Sequence, residues 1–323
     1  MNRNNDGILL TELAKEKIDE IDSVIFDCDG VLIDVTKSYD TTINKTISYI
    51  LKEIFDISIE NPLTNEMFVG FKSTGGFNDE VDITYVGILC YIAAEKLNKD
   101  FNELIFDVIK NSNDKGIKSS QNYFDQINVD LSDAISKLNY PSDRRTNPVS
   151  LVFNELFYGP ELYNKIFKKN SRFSEKGFIE NDSVIITIDL IKKLKQKFND
   201  KLAIVTGRGY KAILPSLKET LDEFDIKNSV FLEDESRDLA KPNPQSLIQA
   251  MKGLGTKNCL YVGDSMEDFI LVKKAVELGF ETTFCGIYGS GKLPEKKKEF
   301  FIEQNVPIIL ESINFLPKAL NLV

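Results

Sequence analysis

The chain contains no histidine. That excludes Ser–His and Cys–His catalytic pairs, together with His-ligated zinc and iron sites. Any general acid or base must then be Asp, Glu, Lys, Tyr or Cys, which leaves carboxylate chemistry with a hard cation such as Mg²⁺. Cysteine is scarce: Cys28, Cys90, Cys259 and Cys285 lie far apart and form no Cys-x-x-Cys pair. Cys28, Cys259 and Cys285 fall in or beside expected core strands, where a free thiol behaves as a small apolar group. No run approaches the roughly 18 apolar residues of a membrane helix. The polar start Met1–Gly7, followed only by Ile8-Leu9-Leu10, does not read as a secretory leader. An excess of basic charge is also missing, since 50 acidic residues outweigh 40 basic ones for a net charge of −10. Surfaces for nucleic acid or for an anionic membrane are therefore not expected. The expected setting is a reducing cytoplasm.

What is present begins with Ser23-Val24-Ile25-Phe26, an apolar β-prone run that ends in Asp27-Cys28-Asp29-Gly30. Open α/β sheets bind ligands at the carboxyl ends of their strands. Two carboxylates there, one residue apart, give an oxygen site for Mg²⁺ and a carboxylate nucleophile. A second strand, Leu202–Val205, ends in Thr206-Gly207-Arg208. Lys241-Pro242-Asn243-Pro244 sets a lysine in a segment whose prolines oppose helix. A third strand, Leu260–Val262, ends in Gly263-Asp264, with Asp268 four residues on. Singly, each has an ordinary reading: turn, loop lysine or helix cap. Their joint order, each after an expected strand or in a loop between strands, is what carries information.

In that order the four segments resemble the signature motifs of the haloacid dehalogenase superfamily of phosphatases and phosphotransferases. The resemblance covers Ser23–Asp34 and Asp182 to about Gly286. It implies that Asp27 is the nucleophile, forming an aspartyl-phosphate, and that Asp29 is the general acid and base. It also implies that the Asp29 backbone carbonyl binds the metal beside Asp27 and Asp264, while Asp268 either ligates the metal or orients Lys241. Thr206 and the amides of Gly207 and Arg208 would hold the phosphoryl oxygens at a helix N-terminus, and Lys241 would offset their transition-state charge. The dehalogenases themselves lack the second Asp of the first motif, so Asp29 favours phosphoryl transfer.

The pattern expected along the chain is a short amphipathic helix over 8–20, the first strand, and then roughly 145 residues before the next core-like strand. No connecting loop is that long, so the segment reads as a folded insert. Its stripes, such as Val86, Leu89, Cys90, Ala93 and Leu97, are helical in period, and Gly159 reads as a helix stop. From Asp182 onward helix and strand alternate, which specifies a parallel sheet covered on both faces. The expected architecture is α/β: a Rossmann-like core of residues 1–35 and 179–323, with a mainly α-helical cap of residues 36–178 inserted after the first core strand. This matches the helical-cap, phosphatase-like members of the family.

Substrate choice is expected in the cap, at Lys37 in the segment leaving the core and in the loop carrying Lys72, Gly75, Gly76 and Asn78. An interhelix turn accounts equally well for that loop. These stretches, with Val152–Gly159, resemble a subgroup found in archaea, some of whose members occur joined to imidazoleglycerol-phosphate dehydratase. The resemblance implies a histidine-pathway phosphate such as histidinol phosphate. The leading expectation is a Mg²⁺-dependent phosphatase acting on a small phosphorylated metabolite. A phosphoglucomutase-like phosphotransferase and a non-catalytic phospholigand-binding protein are the alternatives.

Overall fold

A computed structural model describes residues 7–77 and 79–322. The chain divides into two compact units, one running up to Thr36 and resuming at Asp182, the other being Lys37–Asn181. The elements in order begin with β1 (Ile8–Leu10), α1 (Glu12–Lys17), β2 (Ser23–Phe26) and β3 (Ile33–Asp34). The insert carries α2 (Thr36–Phe55), α3 (Asn65–Ser73), α4 (Glu80–Leu97), α5 (Phe101–Asn111), α6 (Ile117–Gln126), α7 (Ser132–Leu138) and α8 (Pro148–Phe167). The core resumes with β4 (Ser183–Val184), α9 (Ile188–Phe198), β5 (Leu202–Thr206), α10 (Tyr210–Leu217), β6 (Val230–Phe231) and α11 (Gln245–Leu254). It ends with β7 (Cys259–Gly263), α12 (Met266–Glu277), β8 (Thr282–Ile287), α13 (Pro294–Glu303), β9 (Ile308–Leu310) and α14 (Leu316–Ala319).

The main sheet has the order β1-β9-β8-β7-β2-β5-β6. All pairings are parallel except that of β1 with β9. The apolar runs read from the sequence are unbroken because both faces are covered. Val24, Phe26, Leu202, Ile204, Leu260 and Val262 pack on one side. Their alternates Ile25, Ala203, Val205 and Tyr261 pack on the other, as the two-residue side-chain period of a strand requires. The chain leaves β2 toward β5 on one side and returns to β7 on the other, so the order reverses around β2. Ligand sites of open α/β sheets form at such a switch point.

The first expectation to fail is the helix over 8–20. Ile8–Leu10 is a strand, tied to β9 by registers such as Leu9 opposite Ile309. Thr11 then caps α1, its hydroxyl accepting from the Ala14 amide at 3.1 Å. Three consecutive aliphatics suit a sheet margin better than one stripe of a helix. The insert departs from a striped pattern too. Every residue of α4 from Ile83 to Ala94 is buried, because α5, α6, α7 and α8 all pack against it. At Gly159 the α8 backbone leaves helical values (φ 68°, ψ 171°), and Pro160 restarts the helix. A Cβ at Gly159 would lie 2.3 Å from the Gly177 amide nitrogen, so close backbone approach accounts for this glycine.

All four cysteines are buried and free. Burial pushes each thiol up, that of Cys259 to about 12. Since the thiolate is the reactive form, Ellman's reagent should find no thiol in the native protein and all four in denaturant. A rapidly reacting native thiol would contradict this packing.

Candidate active site

Three adjacent strands deliver their following residues to one edge of the sheet. Asp27 follows β2, Thr206 ends β5 and Asp264 follows β7. The Asp27 amide donates to the Val262 carbonyl at 2.8 Å, which prolongs the β2–β7 ladder to the carboxylate itself. Past it the chain coils tightly, the Cys28 carbonyl accepting from the Leu32 and Ile33 amides at 2.8 and 3.0 Å. That turn sets Gly30 at φ 75°, where a Cβ would fall 2.2 Å from Asp264 Oδ2. Glycine is required here both by backbone geometry and by the carboxylate pressed against it.

Lys241 Nζ donates to Asp27 Oδ1 at 2.7 Å and to Asp268 Oδ1 at 2.8 Å. All three side chains are largely enclosed. Burial disfavours the ammonium, but Asp268 and Asp27 outweigh it and hold Lys241 well above the ordinary lysine range. Asp268 has both oxygens engaged. Tyr261 donates to Oδ1 at 3.0 Å, and the Ser265 hydroxyl donates to Oδ2 at 2.7 Å. Burial would raise its pKa, yet Lys241, Ser265 and Tyr261 carry it below the ordinary range. Its geometry suits orienting Lys241, and its carboxylate also lies within reach of the oxygens of Asp27 and Asp264. Burial pushes Asp27 well above the ordinary carboxylate range; Lys241 pulls it down, while Asp268, Asp29 and Asp264 push it up.

Arg208 differs from the solvated side chain that a loop arginine suggests. It is 3% exposed, its Nε 2.7 Å from Asp29 Oδ1 and its Nη1 2.7 Å from Asp182 Oδ2. Its amide donates to the Thr206 hydroxyl at 3.3 Å. Gly207 is exposed, with open space where a Cβ would stand. At the start of α10 the Gly209 and Tyr210 amides donate to Glu233 and Asp234. Asp264 Oδ2 accepts from Lys297 Nζ at 2.7 Å, and Lys297 also reaches the Ser290 carbonyl at 3.1 Å.

Asp27, Asp264 and Asp268 each offer an oxygen within 4.8 Å of the others. Among the described residues, the carboxylates of Asp27, Asp29, Asp182, Asp264 and Asp268 are ion-paired with Lys241, Arg208 and Lys297. Carboxylate oxygens gathered this closely are what a divalent cation would bridge. The all-oxygen donor set suits Mg²⁺, which needs few carboxylates because it retains water. Asp27, Asp264 and Asp268 could each give it an oxygen.

In the insert, Lys37 is exposed in the first turn of α2. Lys72 pairs with Glu80 at 2.8 Å. Gly75 has φ 77°, and Gly76 abuts the Gly116 turn, where a Cβ would lie 2.4 Å from the Gly116 nitrogen. Asn78 lies outside the described residues. Lys72 and Gly76 are thus tied to α4 and to the Gly116 turn.

Four contributors escaped the sequence reading. Asp182 carries no motif, and Lys297 is one of three consecutive lysines with nothing to single it out. Ser265 is an ordinary cap. Tyr261 was detectable, as a polar-tipped residue inside an otherwise aliphatic strand.

A family model of haloacid dehalogenase-like hydrolases matches residues 165–275. No functionally curated protein matches the chain. Among solved structures the chain is similar to a phosphatase from Thermococcus thioreducens, at 22% identity over 85% of this chain and 98% of that one, with a TM-score of 0.56. It is also similar to a conserved haloacid dehalogenase-like protein of Agrobacterium tumefaciens (12% identity, 93% and 98% covered, TM-score 0.48). A β-phosphoglucomutase from Clostridium difficile is more distant (14%, 93% and 97% covered, TM-score 0.43). At these identities the likeness concerns the fold, and the last two superpose too loosely to bear on anything further.

A cation bound at these carboxylates has a thermodynamic consequence. Mg²⁺ at a hundred times its Kd should stabilise the folded core by about 2.7 kcal/mol, raising the unfolding midpoint by roughly 5–10 °C. Asp264→Asn and Gly30→Ala should abolish that rise in a calorimetric scan. A rise that survives in Asp264→Asn would place the cation elsewhere.

Proposed function

We propose that this chain, a member of the haloacid dehalogenase superfamily, is a Mg²⁺-dependent phosphatase that hydrolyses a small phosphorylated metabolite through an aspartyl-phosphate. The observation that carries the reading is the buried Asp27–Lys241–Asp268 bridge at the mouth of the sheet, with distances of 2.7 and 2.8 Å. A structural ion pair has no need to sit at a switch point beside two further carboxylates, and perturbed carboxylates gather at catalytic sites.

In this reading Asp27 attacks phosphorus in line with the departing ester oxygen, and the ester P–O bond breaks as the aspartyl P–O bond forms. Asp29, which takes up a proton when substrate binds, gives it to that oxygen, so the alcohol leaves neutral. Asp29 then takes a proton from water, whose oxygen attacks the aspartyl-phosphate, releasing phosphate and restoring Asp27. Thr206, the Gly207 and Arg208 amides and Lys241 hold the transferring oxygens, and their positive ends meet charge that develops in the transition state. Asp27, Asp264 and the Asp29 carbonyl would hold Mg²⁺, which would favour the ionised nucleophile and offset the charge of the phosphoryl group. Asp268 acts through Lys241.

The test is phosphate release from a panel of phosphorylated metabolites with Mg²⁺ or EDTA. The panel includes histidinol phosphate, phosphoglycolate, sugar phosphates and nucleotides. Metal-dependent turnover of one compound is expected, with a loss of at least about 10³-fold in Asp27→Asn, given what nucleophile removal costs elsewhere. Unchanged turnover in Asp27→Asn would refute the covalent route. Interconversion of sugar phosphates without phosphate release would replace hydrolysis by a mutase reaction.

The oriented lysine makes a separate prediction. Asp268→Asn should lower kcat with little change in the Mg²⁺ concentration for half-maximal rate. A large rise in that concentration would instead make Asp268 a ligand.

A further inference from the structure

The proposed acid and base, Asp29, has a setting unlike that of Asp27. Its side chain is 27% exposed, in a turn that the chain leaves at once through β3. A half-open carboxylate on such a turn has several rotamers, whereas proton transfer needs one. Arg208 and Asp182 supply the restraint. Arg208 Nε lies 2.7 Å from Asp29 Oδ1, and the far end of the same guanidinium lies 2.7 Å from Asp182 Oδ2. The arginine side chain is 3% exposed and that of Asp182 1%. A planar fork gripped at both ends has no freedom left, which a flexible ammonium would keep.

The attachment of Asp182 is equally fixed. It immediately precedes β4, whose Ser183 and Val184 pair with Asp34 and Ile33 of β3. The Ile185 amide donates to the Leu32 carbonyl at 2.8 Å. Asp29 stands in the turn four residues before β3 and Asp182 directly before its antiparallel partner β4, and Arg208, two residues past the end of β5, reaches both carboxylates. Arg208 is three residues from the buried core of its strand, and Thr206 ties its amide as well.

We propose that Arg208 and Asp182 are positioning residues for proton transfer: Asp182 fixes the Arg208 guanidinium, and Arg208 fixes the Asp29 carboxylate toward the leaving oxygen. The inference rests on the phosphatase reading and adds to it a role for the Arg208 side chain beyond its amide. No new bond is made or broken; the two residues narrow the orientations from which Asp29 delivers its proton.

A leaving-group comparison separates this role from a structural one. Nitrophenolate departs without protonation, whereas an alkoxide needs the acid. Single-turnover release of the alcohol reports the first half-reaction alone. It is measured with nitrophenyl phosphate and with the fastest alkyl phosphate of the panel, for wild type, Asp29→Asn, Arg208→Lys and Asp182→Asn. Asp29→Asn sets the scale as the variant lacking the acid. Arg208→Lys and Asp182→Asn should slow the alkyl ester by roughly 10–100-fold, part of the value of a general acid, and the nitrophenyl ester at least tenfold less. Equal slowing of both esters, or none, would overturn the proposal. Should Arg208→Lys not fold, Asp182→Asn decides alone, since it leaves the Arg208 backbone and side chain intact. A wild type that hydrolyses neither ester removes the phosphatase reading and the inference with it. A wild type that hydrolyses both, with the ratio unchanged in the variants, removes only the inference.

Discussion

One buried ammonium organises the mouth of the sheet. Lys241 reaches Asp27 after β2 and Asp268 in the first turn of α12, adding a third segment to the mouth that the paired strands β2 and β7 open. Two carboxylates brought together in a dry interior repel each other and lose their water, so neither tolerates the other without a cation between them. Removing one partner from such a pair typically costs about 3–5 kcal/mol, because the survivor is left charged and buried. The other details follow from that constraint. Asp268 must face inward, so Ser265 and Tyr261 take its remaining lone pairs, and α12 begins where it does because that cap exists. Asp264 is then drawn against the first motif, and only a glycine at position 30 leaves it room.

The arrangement is long-range in the chain. Asp27 and Lys241 are 214 residues apart, and Tyr261 and Asp268 are supplied still later. The central strand β2 waits for both neighbours, β5 and β7, until the insert has been made. Closing so long a loop costs only modestly more than closing a short one, since the penalty grows with the logarithm of length. The β3–β4 ribbon reduces even that, clamping the two crossing points together at Ile33 and Val184.

What the sequence made legible was whatever is local. Apolar runs of four or five residues ending in Asp, Thr-Gly or Gly-Asp announced three strands and the residues at their ends, because strand burial and the turn after it are decided by neighbours in the chain. The alternation of helix and strand after Asp182 announced the parallel sheet for the same reason. Partnership was not legible. Nothing near Arg208 foretells that its guanidinium bridges Asp29 and Asp182, and nothing in Lys296-Lys297-Lys298 picks out the middle lysine as the partner of Asp264. Nor does periodicity reveal enclosure. The α4 sequence shows a stripe, while the helix is buried all round, since polar Thr84 and the Tyr85 ring find their places inside. Ile8–Leu10 failed for a related reason: three aliphatics in a row carry no period, and their strand partner lies some 300 residues away.

The margins of the main sheet have a consequence of their own. A long, flat outer strand is an invitation for another chain to add itself by backbone pairing. Here one margin is β1, three residues long and running against the direction of the rest, and the other is β6, only two residues long. Between them lie five strands with both neighbours satisfied. The short reversed strand at the beginning thus acts as a stopper, leaving too few open amides and carbonyls in a row to seed a growing ribbon. Among the described residues, the sides of the sheet thus offer a neighbour little to grip, away from the end where the like charges crowd.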